Sequence, residues 1–334
     1  MNRLRFSWGA IVSAAVCLLV GVERAHADWI DVDNAGNAPD TRYGGSYGAV
    51  AYPYRISEYE VTNRQWIDFL NAVASQSDPY GLYNTYMAGS YGGIARTGSG
   101  PYTYAAKGGD TAWLDRPVNY VSWYDALRYC NWLSSGQTES GVYTLTGPTS
   151  VDPLPDHSTL TGDVVFLPSE DEWYKAAYHD KSAGLAATYF DYPTGTNTVP
   201  SNDLIDPDPG NNANFYDGEY TLGFPYTTLV GEFENSESPY GTFDQGGNLW
   251  EWNELDLLGD GSFRGVRGGY WFSTPSDLHA SYWNCPAPTN EYYVWGFRVA
   301  SPYSLEPVPE PSSVLMLVTG LGGLLLWKWR RRGT

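Results

Sequence analysis

Histidine and cysteine are scarce, at four and three among 334 residues. Zinc centres and Ser-His-Asp triads both draw on histidine, so its scarcity counts against either, although carboxylate pairs remain available for acid–base work. Neither a Gly-x-x-x-x-Gly-Lys phosphate loop nor a His-Glu-x-x-His helix is present, and with them go two common routes to nucleotide and metalloprotease chemistry. Basic residues are also few, with 19 Lys and Arg against 38 Asp and Glu. The first 27 residues and the last 23 carry net charges of +2 and +4, which leaves −25 on residues 28–311. A body so acidic repels nucleic acid and anionic membranes and suits either cation binding or simple solvation.

What is present begins with an address. Arg3 and Arg5 precede an apolar run from Trp8 to Val22 and the small-residue triplet Ala25-His26-Ala27. That order predicts a secretory signal peptide over residues 1–27, with a mature chain starting near Asp28. Cys17 leaves with it, so Cys130 and Cys285 remain; export permits a bridge between them, and spacing alone does not establish one. A small buried hydrophobe and a loop thiol are their simplest roles.

The other end carries Val308-Pro309-Glu310-Pro311, an apolar run from Val314 to Trp327, then Lys328 and Arg330 to Arg332. The run is shorter than the roughly 20 residues of a comfortable membrane span. The order resembles the PEP-CTERM sorting tail of Gram-negative bacteria. The resemblance implies an exosortase-type protease as partner, a linker over 305–311, and transient inner-membrane attachment through 312–334 with its basic end inside. It implies delivery to the cell surface or extracellular matrix.

Between the ends, three start signals predict helices. Thr62 with Gln65 makes a capping box ahead of Trp66, Phe69, Leu70 and Val73; Ser122 with Asp125 precedes Ala126, Leu127, Cys130 and Leu133; Ser169 with Glu172 precedes Trp173, Ala176 and Ala177. Short strands are expected over Tyr54–Tyr59, Val164–Leu167, Phe263–Tyr270 and Gly296–Ala300. Residues 80–109 and 189–210 read as long loops. Abundant Tyr and Trp with frequent Gly and Pro suggest a loop-rich fold held by aromatics.

Six blocks then follow in order: Tyr59-Glu60-Val61-Thr62-Asn63; Arg116-Pro117-Val118 with Val121-Ser122-Trp123; Leu167 to Trp173; Gly246-Gly247-Asn248-Leu249-Trp250-Glu251-Trp252; Arg267-Gly268-Gly269-Tyr270-Trp271; and Gly296-Phe297-Arg298-Val299-Ala300. Together they closely resemble the sulfatase-modifying factor family, whose namesake is the formylglycine-generating enzyme. The resemblance implies one α+β domain over 28–304, a C-type-lectin-like variant of the formylglycine-generating enzyme fold with little regular structure.

Calcium is where residues and resemblance meet. Asp244 and Glu251 offer carboxylate oxygens around a turn that Gly246 and Gly247 let fold tightly, as Ca²⁺ requires; otherwise they cap a turn and a strand end. The resemblance adds the carbonyls of Gly247 and Leu249. It also implies a second, weaker calcium site at Asn214 and the carbonyl of Phe215, but Leu222 stands where that site needs a carboxylate.

Copper is not expected. The family's enzyme holds it through two cysteines after the Arg-Gly-Gly block, where this chain has Ser273 and Leu278. A hydroxyl and an isobutyl group do not ligate Cu(I), so no residue is assigned a catalytic role. Tyr270, Ser273, Leu278, His279 and Arg267 are candidates for a binding groove, Arg267 and Arg298 being equally suited to pair with buried carboxylates. The aromatic segments Tyr80–Tyr104 and Tyr282–Trp295 can stack on sugars or peptide side chains, or on each other.

The chain therefore reads as an exported, non-catalytic binding module, with a matrix exopolysaccharide or surface protein as partner and no role for nucleic acid. Two alternatives stand beside it: an oxidoreductase acting on a cysteine in a client sulfatase, and a structural matrix cargo with no specific ligand.

Overall fold

The computed structural model describes residues 28–303. The expected signal peptide, linker and sorting tail lie outside the described residues. Within them the helices α1 (Asn63–Val73), α2 (Trp123–Ser135) and α3 (Glu170–Tyr178) start where their caps predict, after Thr62, Ser122 and Ser169. Each cap is reciprocal: the hydroxyl accepts from the third backbone N–H, and that residue's side chain accepts from the cap's own N–H. A fourth, single-turn helix, α4, spans Pro275–Leu278.

The strands are short and scattered. They are β1 (Trp29–Val32), β2 (Tyr54–Ser57), β3 (Ile94–Thr97), β4 (Thr103–Ala106), β5 (Leu145–Gly147), β6 (Ser150–Val151), β7 (Trp250–Asp256), β8 (Arg264–Arg267), β9 (Trp295–Gly296) and β10 (Ala300–Pro302). One sheet runs β1-β2-β10 with both neighbours antiparallel to β2; another runs β8-β7-β9, antiparallel on one side and parallel on the other. The pairs β3-β4 and β5-β6 are separate hairpins.

Three expectations change here. The segment expected as a strand over Val164–Leu167 makes a single bridge, Phe166 to Ala300. The stretch Gly296–Ala300 is divided between two sheets, because Phe297 and Val299 turn into the core and Arg298 into an ion pair. The long loop from Tyr80 contains the β3-β4 hairpin, whose inward face is little more than Ile94 and Tyr104 and so carries no clear periodicity.

Rings hold the centre. Trp66 meets Phe69 at 4.9 Å, Tyr129 at 5.6 Å and Phe297 at 5.9 Å, joining α1 and α2 to the chain's last block. All four are fully or almost fully buried. Burial of a side chain of this size contributes roughly 1.5–3 kcal/mol, so these rings fix how the helices sit on the sheet.

Candidate functional site

Residues 244–251 form a tight turn that feeds β7. Asp244, Gly247 and Asn248 all have left-handed backbone, with φ of 61°, 85° and 57°. Glycine is required at 247, since a Cβ there would lie 2.1 Å from the Asn214 carbonyl oxygen. Beneath the turn, Glu251 is engaged on both oxygens. Arg298 donates through Nε at 2.6 Å and Nη2 at 2.7 Å, and Trp173 Nε1 donates at 2.7 Å. Asp244 accepts from the Gly231 N–H, and burial with the nearby Glu251 and Glu232 charges raises its carboxyl to about 6.

Sequence reasoning gave Glu60 no role. It is buried, one oxygen accepts from Asn248 Nδ2 at 2.8 Å, and the other has no partner. Burial, then the charges of Asp244 and Glu251, push its carboxyl well above the usual range. An orphaned carboxylate oxygen beside Asp244 is the kind of group a cation satisfies. Among the described residues no three His, Cys, Asp or Glu side chains converge as a metal cluster, so an ion here would draw on backbone carbonyls as well.

The weaker site fits less well. The Phe215 carbonyl already accepts from Asn202 at 3.2 Å and Thr221 at 3.3 Å. Asn214 braces the turn, donating to the Tyr226 carbonyl and to Asn248 Oδ1 while its own carbonyl accepts from the Asn248 N–H. These contacts bring the two expected calcium segments together, and they leave Leu222 with nothing to offer an ion.

The expected groove divides. Arg267 is fully buried, donating to Glu170 at 2.5 Å and to the carbonyls of Ala280 and Tyr282, with Tyr47 and Tyr174 against its guanidinium. It lines no open groove, because its charge is spent inside. Leu278 is also fully buried, packed with Tyr192, Ala213 and Phe215. Ser273 is buried with its hydroxyl accepting from the Tyr270 N–H at 3.1 Å. Tyr270 and His279 stay partly exposed, His279 lying between Tyr43 and Tyr192.

Ser273 and Leu278 are nevertheless neighbours. A Cβ built on Gly269 would lie 2.9 Å from Leu278 Cδ1 and 3.2 Å from Ser273 Cβ, so both side chains face one small volume. That volume holds a methyl group and a hydroxyl already closing a turn. The two remaining cysteines are unpaired and elsewhere: Cys130 is buried in α2, with its thiol pushed up by burial, and Cys285 is partly exposed.

Beside this volume the two expected aromatic loops meet. Tyr91 from one stacks on Tyr293 from the other at 4.7 Å, and Trp271 continues the pile to Tyr226 at 4.6 Å and 15°. Asn119 fastens them: its buried amide donates to the Tyr91 carbonyl at 2.9 Å and to the Tyr293 carbonyl at 3.2 Å. The loops therefore pack on each other, and what they offer outward is a platform. Its exposed rings are Tyr86 (67%), Phe224 (57%), Phe272 (46%) and Tyr220 (41%). Rings exposed to this degree on a stacked base make a surface ready to bury area against a partner.

Comparison with known proteins accords with this architecture. Residues 307–332 match the PEP-CTERM protein-sorting motif, which implies sorting by an exosortase and export to the envelope of a Gram-negative bacterium. Among the described residues no helix is long and apolar enough to cross a membrane. The serine/threonine-protein kinase pkn1 of Chlamydia pneumoniae is 26% identical over 271 residues, 75% of this chain and 33% of that protein. The chain thus spans about a third of such relatives. The inactive C-alpha-formylglycine-generating enzyme 2 of Bos taurus is 27% identical over 168 residues, 48% of this chain and 40% of that protein. The solved structure of Treponema denticola variable protein 1 shares the fold, with a TM-score of 0.50 at 20% identity over 82% of this chain and 95% of that one. Residues 37–302 match the Sulfatase-modifying factor enzyme 1-like domain. That span takes in every element from β2 to β10, and the chain belongs to this family.

Proposed function

We propose that this protein is an exported, non-catalytic binding module that holds a matrix polysaccharide or a surface protein on its aromatic platform. The observation that carries the reading is that Ser273 and Leu278 both face the space beside Gly269. Formylglycine chemistry as the family resemblance implies it needs two thiolates there for copper, and a hydroxyl with an isobutyl group supplies neither ligand nor redox partner. The test has two arms. The exported protein, incubated with copper and a cysteine-containing peptide, is expected to yield no formylglycine by mass spectrometry; steady turnover overturns the reading. On cell-free extracellular matrix the same protein is expected to be retained, and Tyr86→Ala with Phe224→Ala to release it. Retention indifferent to both changes would leave it as structural cargo.

Calcium belongs to the same proposal as a structural ion. Asp244 and Glu60 would hold it with the carbonyls of Gly247 and Leu249, and Glu251 would share oxygens with Arg298. The ion would stabilise the turn beneath the platform by binding only the folded state. Chelation is expected to lower the melting temperature of the native protein and to have no further effect on Asp244→Ala. Equal melting with and without chelator removes the ion.

A further inference from the structure

One buried oxygen beside the 244–251 turn has no place in the calcium set above, and its role rests on that calcium reading. Residues 226–231 run along the turn: the Thr228 N–H donates to Asn248 Oδ1 at 3.1 Å and the Gly231 N–H to Asp244 Oδ2 at 2.6 Å. Thr228 is buried, and its hydroxyl has no hydrogen-bond partner. Glu60 meets the same asparagine at its nitrogen, Oε2 accepting from Asn248 Nδ2 at 2.8 Å, and Oε1 is likewise buried without a partner. The Asn248 amide oxygen is used up, because Asn214 Nδ2 donates to it alongside Thr228. Asn248 therefore orients two groups whose unpartnered oxygens are left for another occupant.

A water molecule satisfies hydrogen bonds but leaves a buried carboxylate's charge uncompensated. No side chain compensates it either: Arg298, the cation that acts on Glu60, has its N–H groups on Glu251 and three carbonyls. Of the neighbouring carboxylates Asp244 acts most strongly on Glu60, and only its Oδ2 is hydrogen-bonded. Hydroxyl and carboxylate oxygens are hard donors, which suit calcium or magnesium. Thr228 and Glu60 are 4% and 2% exposed, so an ion that reaches them sheds most of its water. Calcium does so readily and tolerates an irregular ligand set, whereas magnesium keeps its water and demands an octahedron. We propose that Thr228 Oγ1, with Glu60 and Asp244, binds the cation of this turn, and that the site takes calcium in preference to magnesium.

The experiment is thermal melting of the exported protein, chelated and then titrated with calcium or magnesium, for the native chain, Thr228→Val, Thr228→Ser and Glu60→Gln. A buried hydroxyl without a partner costs stability when no ion is bound, so in chelator Thr228→Val is expected to melt at or above the native temperature. In calcium the order should reverse. Thr228→Val is expected to need roughly tenfold more calcium for its half-maximal shift, while Thr228→Ser stays near native and Glu60→Gln follows the valine variant. Magnesium at the same concentration should shift the native melt less. A hydroxyl with a merely structural role predicts a different pattern, Thr228→Val melting below native by one margin with and without calcium, and that result overturns the assignment. Equal shifts from the two metals overturn it as well. A calcium response kept in full by Thr228→Val sinks the ligand and leaves the ion reading standing, whereas a native melt indifferent to calcium sinks both.

Discussion

Arg298 shows what a single residue contributes. All five of its N–H donors are placed: two on Glu251, and one each on the carbonyls of Phe243, Ser57 and Glu58. It thereby ties β7, the 244–251 turn and the end of β2 to one point. Breaking a buried pair strands the surviving charge, so Arg298→Met is expected to cost about 3–5 kcal/mol in urea unfolding. Arg298→Lys should recover little, because an ammonium cannot fork across a carboxylate and reach three carbonyls. The kind of partner was legible in the sequence, as a buried carboxylate, but Glu251 was read there as an ion ligand or strand cap. Glu60 was invisible for a related reason. Its role exists only where the chain brings it against Asn248 and Asp244, and neither contact leaves a local pattern.

At the scale of elements, the start of α3 is joined to the rest of the fold by its own capping box. Glu172 closes the box by accepting from the Ser169 N–H at 2.7 Å, and the same oxygen lies 2.9 Å from His157 Nδ1. The other imidazole nitrogen is 3.3 Å from Glu254 at the end of β7's buried half. Burial alone would lower the His157 pKa, but the two carboxylates prevail and raise it to about 10, above the ordinary 6.5. Protonation is therefore tighter in the folded state. The stabilisation is complete below pH 6.5 and drains away as the pH climbs toward 10, by at most about 1.4 kcal/mol per unit. Unfolding free energies measured from pH 6 to 10 are expected to fall along this slope in the native protein and to flatten in His157→Gln. A flat native profile would remove the imidazolium from the account. The helices themselves were legible because each cap and its apolar stripe lie within a dozen residues. Strand β7 was not, since its first four residues are all buried and show no alternation. The β3-β4 hairpin was hidden by Tyr, Thr and Ala around a Gly-Ser-Gly turn.

At the scale of the molecule, the first and last described strands flank the same partner: β1 and β10 both pair with β2, and Ala300 also exchanges two backbone hydrogen bonds with Phe166. Ending the chain after Val299 removes β10 and leaves Phe166 and one side of β2 unpaired. Such a protein is expected to lose cooperative unfolding and its near-ultraviolet circular dichroism, whereas a chain ending after Tyr303 retains both. A sigmoidal urea transition in the shorter chain would show the closing strand to be dispensable. The family blocks made this overall fold readable from sequence, while the sheet order was not, since β1 and β10 lie at opposite ends of the chain.

That arrangement ties assembly to passage across the membrane. A clasp made from the earliest and latest stretches to cross cannot fasten while the tail end is still inside, so a chain stalled midway stays open to proteolysis. Only a molecule with both stretches delivered to the same side can lock.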